Sequence, residues 1–209
     1  MKIAGVYLAA GKSIRMGRKK LALPIRTTTI GSMALREAVH SSLTQIYIVS
    51  NGDHTWVDQD LLTNKKCTFI PCPTASLGQS ESLKWGVKHA AEEKMDAIIV
   101  LLADQPLIFT KIIDQLIIDF KNKPSLDYVS TSINGMIMPP ILFSSTMFSK
   151  MESLEGDKGA KVLLKDKSLQ GKKLISGNQM YFFDVDTEED YRKLLSYSNK
   201  SFEKGDDHC

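Results

Sequence analysis

Gly11, Ser13, Arg15, Gly17 and Lys20 fall within one short stretch, Leu8-Ala9-Ala10-Gly11-Lys12-Ser13-Ile14-Arg15-Met16-Gly17-Arg18-Lys19-Lys20. The two glycines let backbone N–H groups approach a bound group closely. Ser13 adds a hydroxyl, Arg15 a planar guanidinium fork and Lys20 a compact point charge. Such a loop after a buried strand is a cradle for phosphates, and the number of donors suits a nucleoside triphosphate. The plainer reading of the same residues is a strand-to-helix turn with a solvated basic patch, but turn chemistry requires neither this length nor this order.

Two familiar phosphate loops are excluded by spacing. Ala10-Gly11-Lys12-Ser13 resembles the end of a P-loop, but that motif needs a glycine five positions before the Gly-Lys pair, and position 6 is Val6. The dinucleotide fingerprint G-x-G-x-x-G is broken by Ser13.

A carboxylate stands at each of two further strand ends. Ala97 to Ala103 is the longest apolar run and predicts the central strand of a sheet covered on both faces. It stops at Asp104-Gln105-Pro106. Ligands of open parallel sheets sit beyond the carboxyl ends of strands, so Asp104 stands where such a site forms. Its oxygens are hard ligands suited to Mg²⁺, although it could instead cap the following turn. Asp184-Val185-Asp186-Thr187 follows another apolar stretch, with Thr187 placed to cap a last helix and Asp186 left to face the site. Gly78, Ser80 and Ser82 open a helix whose free N–H groups suit a ribose or base edge, or which is simply serine-capped.

The elements that must position these residues can be read from periodicity. Ile3–Leu8 predicts strand one, Ile46–Val49 a second strand and Cys67–Ile70 a third. Ser32 is the expected cap of a helix running to about Leu43. Thr110–Phe120 reads as an amphipathic helix. Tyr128–Ser132 and Met136–Phe143 flank Asn134-Gly135 as a hairpin that Pro139-Pro140 interrupts. Helical turns are expected at 144–151 and from Gly156, and short strands at Leu174-Ile175 and Met180–Phe183. Residues 1–195 read as one domain, and the polar stretch 196–209 as a disordered tail.

Composition narrows the class. Hydrophobic residues make up 43% and charged residues 24% of 209, as in a soluble globular protein. A net charge of +3 argues for neither a nucleic-acid nor a membrane partner. No apolar run is long enough to span a bilayer, and no leader peptide is recognisable. Cys67, Cys72 and Cys209 have no metal-binding spacing, and His40, His54, His89 and His208 form no cluster in sequence. A cytoplasmic protein with reduced thiols is expected.

The unbroken pattern LAAG-x-S-x-RMG-x-x-K, from Leu8 to Lys20, resembles the signature loop of the nucleotidyltransferase superfamily. Gly78 with Ser80 and Ser82, the Ala103–Pro106 tetrapeptide, Pro140 with Leu142-Phe143, Gly156-Asp157-Lys158-Gly159-Ala160 and Asp184–Thr187 follow in order. Together they resemble the MocA/PucB-like molybdenum cofactor cytidylyltransferases over nearly all of residues 1 to 195. The resemblance implies a Rossmann-like α/β three-layer sandwich with a mostly parallel central sheet. It implies transfer of CMP from CTP to the phosphate of molybdenum-molybdopterin, with pyrophosphate leaving and Mg²⁺ assisting. The product would serve a xanthine dehydrogenase-type hydroxylase as its client. Adjacent Ala9 and Ala10 fit the cytidine-using branch.

On that resemblance, Leu8, Ala9, Ala10 and Gly11 face the base, with Gly78, Ser80 and Ser82 as further nucleotide contacts. Ser13, Arg15 and Lys20 hold the triphosphate. Lys20 and Asp104 are the expected catalytic residues, and Asp104 and Asp186 the metal ligands. The sequence departs from its relatives at Met138-Pro139, where they carry Gly-His, and at Lys161, where they carry Arg. The loop alone also permits a sugar phosphate, a methylerythritol phosphate or a phospholactate as acceptor. A non-catalytic cofactor carrier would need no metal clamp on a triphosphate, and a nucleotide-sensing regulator would need a DNA-binding element that is not evident.

Overall fold

Apolar β-branched runs build a sheet whose strand order creates a crevice. The computed structural model describes residues 1–11 and 16–203. In chain order, β1 (Ile3–Leu8) precedes a small hairpin of β2 (Pro24–Ile25) and β3 (Thr28–Thr29), then α1 (Ile30–His40) and β4 (Gln45–Ser50). Next come α2 (Gln59–Leu62), β5 (Cys67–Pro71), α3 (Gln79–Glu92), β6 (Ala97–Leu102) and α4 (Thr110–Asn122). The hairpin β7 (Tyr128–Ile133) and β8 (Met136–Ser144), α5 (Phe148–Glu152), β9 (Gly171–Ile175) and α6 (Glu188–Glu203) complete the described chain.

The seven-stranded sheet has the order β5-β4-β1-β6-β8-β7-β9, with β6 at its centre as its apolar sequence predicts. Only β8 runs against its neighbours; β5, β4, β1 and β6 pair in parallel, as do β7 and β9. From β1 the chain winds outward to β4 and β5, then returns to β6 on the other side of β1. The carboxyl ends of β1 and β6 therefore flank the point where winding reverses, where open α/β sheets leave a crevice for ligands.

Alternation along the strands divides the core between two faces. Ile3, Tyr7, Ile46, Ile48, Ile99 and Leu101 pack against α1 and α4. Ala4, Val6, Val49, Ile98 and Val100 pack against α3 and α5. Helix α3 comes so near β1 that a Cβ on Gly86 would lie 2.4 Å from Val6 Cγ1.

Four local expectations are corrected. Helix α1 starts at Ile30 and ends at His40, and its cap is Thr29, whose Oγ1 accepts from the Ser32 N–H at 3.2 Å. Ser32 is inside the helix, where its hydroxyl donates to the Trp56 carbonyl at 2.9 Å. Residues 179–182 form a 3₁₀ turn and not a strand, because the Asn178 side chain accepts from the Met180 N–H and bends the chain. The segment after Gly159 is likewise 3₁₀, at Ala160–Lys165. Finally, α6 extends through Glu203, past the expected start of the tail at Ser196: Tyr191, Leu194 and Ser198 lie at helical spacing and are buried, and Arg26 donates to the Ser198 carbonyl, while residues 204–209 of the expected tail lie outside the described residues.

The hairpin at Asn134-Gly135 forms with positive φ at both residues, the geometry of a two-residue turn. Its pairing jumps from Ser130–Ile141 to Thr131–Met138, leaving Pro139 and Pro140 out of register.

Candidate active site

The site grows from the ends of β1 and β6. At their tips the Ala103 N–H donates to the Leu8 carbonyl at 3.1 Å, and Ala9 donates to Val49 at 2.9 Å. These bonds fix where the loop leaves the sheet. Ser13 and Arg15 lie outside the described residues. The chain returns through Gly17 to a 3₁₀ turn, Lys20–Ala22, that points the Lys20 side chain inward.

Lys20 is 8% exposed. Its Nζ donates to Asp104 Oδ2 at 2.7 Å and to Asp186 Oδ1 at 2.8 Å. Burial acts to lower the ammonium pKa, but the charge of Asp104 and the hydrogen bonds that Lys20 donates to both carboxylates outweigh it, so the pKa rises and Lys20 stays cationic. Asp186 reaches this position because the Val185 N–H donates to the Asp104 carbonyl at 2.9 Å, laying the 184–186 segment along the end of β6. Thr187 and Asp190 cap α6 reciprocally: Thr187 Oγ1 accepts from the Asp190 N–H, and Asp190 Oδ2 accepts from the Thr187 N–H.

Behind them lies Asp184, whose importance the sequence did not single out. Burial pushes its carboxyl up to about 6, helped by the charge on Asp104 and opposed by the adjoining Gln105 amide and Lys20 ammonium.

Opposite stands the start of α3. Gly78 has φ +128°, and a Cβ there would lie 2.4 Å from the Gly156 carbonyl. Only glycine permits this approach, in which the Ser80 N–H donates to Gly156 O at 3.1 Å. The bond brings Asp157 into the wall of a cavity of about 550 Å³, a volume suited to a small-molecule substrate.

Leu8, Ala10, Gly11, Lys20, Gly78, Ser82, Asp104 and Asp186 all line this cavity. Ala9 instead lines a neighbouring cavity of about 400 Å³, with Arg18, Asn51 and Trp56. Ser80 is fully buried within α3 and its side chain is not part of the wall. Ala75, Ser76, Gln79, Leu102 and Asp157 are additions. Ser76 and Gln79 adjoin the Gly78 signal, whereas Asp157 becomes visible only through the Gly78–Gly156 contact.

The described wall carries three carboxylates, Asp104, Asp157 and Asp186, against one ammonium, Lys20. A polyphosphate can enter such a wall only with compensating cations. The oxygens of Asp104 and Asp186 already converge on one cation and are the hard donors that Mg²⁺ or Mn²⁺ prefers, so the residues fit a divalent ion. Among the described residues no group of three or more His, Cys, Asp or Glu side chains forms a metal cage. Two carboxylates completed by substrate phosphates and water are a usual arrangement for Mg²⁺. Among these residues no helix is long and apolar enough to cross a membrane.

Comparison with known proteins places this site in context. Residues 5–173 match the MobA-like NTP transferase domain. The purine catabolism protein PucB of Bacillus subtilis (strain 168) is 36% identical over 200 residues, covering 90% of this chain and 94% of PucB. The crystal structure of Rv0371c from Mycobacterium tuberculosis H37Rv is similar with a TM-score of 0.78 and 26% identity, covering 94% of this chain and 99% of that one. A complex of Rv0371c with manganese gives a TM-score of 0.74, with the same identity and coverage. A 4-diphosphocytidyl-2C-methyl-D-erythritol synthase from Anaerococcus prevotii DSM 20548 shares the fold at 15% identity, with a TM-score of 0.73 over 95% of this chain and 96% of that one. The fold is that of the nucleotide-diphospho-sugar transferases, with a seven-stranded, mostly parallel sheet between helices.

Proposed function

Because this chain belongs to the MobA-like NTP transferase family and is of nucleotidyltransferase type, we propose that it transfers CMP from CTP to the phosphate of molybdenum-bearing molybdopterin. The product is the molybdopterin cytosine dinucleotide, supplied to a xanthine dehydrogenase-type hydroxylase. The observation that carries this reading is the convergence of Lys20, Asp104 and Asp186 on one wall of the cavity at the carboxyl ends of β1 and β6. Similarity to PucB, whose name places that relative in purine catabolism, supports the choice of product.

In the proposed reaction an oxygen of the acceptor phosphate attacks the α-phosphorus of CTP. The bond from that phosphorus to the α,β-bridging oxygen breaks, and pyrophosphate leaves with the electron pair. The acceptor phosphate is ionised near neutral pH, so no protein base has to remove a proton. Catalysis is then positioning and neutralisation of charge. Leu8, Ala10 and Gly11 shape the floor beside the nucleotide, and Gly78 and Ser82 the facing wall. Ser13 and Arg15 supply anion donors from the loop, and Lys20 meets the charge that builds at the α-phosphate. Asp104 and Asp186 would hold Mg²⁺, which supplies charge neutralisation between the phosphates.

The test is pyrophosphate release by purified protein with Mg²⁺ and molybdenum-loaded molybdopterin, comparing CTP with GTP and ATP. Release with CTP alone, dependent on the acceptor, is expected. Release with GTP or ATP instead overturns the base assignment. Binding of CTP without release moves the reading to another phosphorylated acceptor, and then to a carrier.

A further inference from the structure

We propose that the Lys20 ammonium is the resident occupant of the divalent-cation position, so that a metal ion enters only together with the nucleotide that draws the lysine away. The inference rests on the nucleotidyltransferase reading for its metal and its nucleotide, and it adds a second role for Lys20 before chemistry begins.

The geometry is that of an occupied cation site. One oxygen of Asp104 and one of Asp186 face a single point from chain segments far apart in sequence, and Lys20 Nζ stands at that point, 2.7 and 2.8 Å away. The carboxylates do not depend on the lysine for their meeting. The backbone bond from Val185 to Asp104 holds the two segments side by side, and the Thr187–Asp190 cap holds the chain beyond Asp186. A cation preferring carboxylate oxygens would use these same two atoms. It cannot share them with an ammonium in contact with both, because two like charges would then touch in a partly buried place.

Lys20 can leave. It sits on the three-residue turn Lys20–Ala22 directly after the loop, on a flexible stem that lines the cavity. A bound triphosphate is an anion of higher charge than either carboxylate and competes with them for the ammonium. The triphosphate also brings a bound metal ion with it. One binding event therefore exchanges Lys20 for the metal at the carboxylates and delivers Lys20 to the α-phosphate. Free metal, arriving alone, must displace an ammonium already hydrogen-bonded to both ligands. The expected order is entry of a metal–nucleotide complex into a site that does not preload with metal.

This makes removal of a catalytic group improve metal binding. Mn²⁺ binding is measured by electron paramagnetic resonance of free Mn²⁺ in titrations of wild type, Lys20→Met and Lys20→Gln, each with and without the unreactive analogue α,β-methylene-CTP. Thermal melting confirms that each variant is folded, and the glutamine variant stands in if the methionine variant is not. Without nucleotide, the lysine variants should bind Mn²⁺ at least about tenfold more tightly than wild type, the like-charge competitor being gone. Adding Asp104→Asn should abolish the gain. With the analogue, wild type should bind Mn²⁺ tightly.

The exchange is overturned if a folded lysine variant binds free Mn²⁺ no better than wild type, or if wild type binds it equally well with and without analogue. In either case the metal assignment survives as long as wild type binds Mn²⁺ in the presence of the analogue. If wild type binds no Mn²⁺ even then, the metal assignment itself fails, and the exchange with it.

Discussion

The Val185 N–H donates to the Asp104 carbonyl at 2.9 Å, and this backbone bond lays together the two segments whose carboxylates, Asp104 and Asp186, meet at one cation. The two acids belong to the end of the central strand and to the approach to the last helix. Neither sequence neighbourhood alone makes a site. Their value lies in being brought together by a main-chain bond that does not involve the cation between them.

Asp104→Ala removes one of the two oxygens proposed to hold the metal while leaving Lys20 its bond to Asp186. Turnover in the pyrophosphate-release assay should fall roughly a hundredfold or more, the usual cost of losing one charge-stabilising contact in the transition state. The fold should survive, because the Val185–Asp104 bond uses the carbonyl and not the side chain. Near-normal turnover at saturating Mg²⁺ would remove Asp104 from the metal site.

Two glycines separate packing from function. Gly86→Ala places a methyl 2.4 Å from Val6 Cγ1, between a helix and a central strand that cannot easily part. Overpacking of this kind costs about 1–3 kcal/mol, against about 1 kcal/mol gained from better helix propensity. The melting temperature should drop by a few degrees with KM for nucleotide unchanged. Gly78→Ala instead strikes the Gly156 carbonyl and needs φ +128°, a region open essentially to glycine, at a cost of about 1–3 kcal/mol. Because this contact forms the cavity wall, KM for nucleotide should rise severalfold as well. Equal KM effects in the two variants would contradict the difference.

The thiol of Cys67 provides a pH test away from the site. Burial pushes its pKa to about 11, with nearby Lys66 opposing weakly. A raised thiol pKa favours the neutral form, so at pH 8 the reactive thiolate falls from roughly a quarter of molecules to about one in a thousand. Alkylation of Cys67, followed by peptide mass spectrometry, should be slow in the native protein at pH 8. It should quicken about tenfold for each pH unit up to about 11, and become fast at pH 8 on unfolding. Rapid native labelling at pH 8 would mean that the half-buried thiol is not shielded from water.

Elements driven by packing were legible in the sequence, and elements driven by capping were not. Ile3–Leu8 and Ala97–Ala103 are so apolar that only interior strands suit them, and β1 and β6 occupy those positions. Once they are strands, Asp104 must stand at a carboxyl end. The start of α1 is not legible because Ser32 and Thr29 are both good caps, and a backbone partner distant in sequence, the Trp56 carbonyl, claims the Ser32 hydroxyl. Residues 179–182 have the apolar content of a strand, but the turn at Asn178 overrides it. Asp157 reaches the cavity through a contact between Gly78 and Gly156 that no spacing along the chain encodes. The polar composition past Ser196 hid the register that keeps Leu194 and Ser198 inward.

Asp190 should matter to the site although it does not line the cavity. Its Oδ2 accepts from the backbone N–H groups of Asp186 and Thr187 and from the Thr187 hydroxyl, at 3.2, 2.8 and 2.7 Å. It thereby caps α6 and holds the main chain that carries Asp186. Asp190→Ala should cost about 1 kcal/mol of stability as a lost cap. Freed from that restraint, Asp186 samples positions that no longer converge with Asp104. Mn²⁺ binding in the presence of α,β-methylene-CTP should therefore weaken several-fold, while nucleotide binding without metal is unchanged. Asp190→Asn keeps one acceptor oxygen and should recover most of both losses. If Asp190→Ala lowered the melting temperature yet left Mn²⁺ binding intact, the cap would be purely structural and Asp186 would be held by the Val185 bond alone.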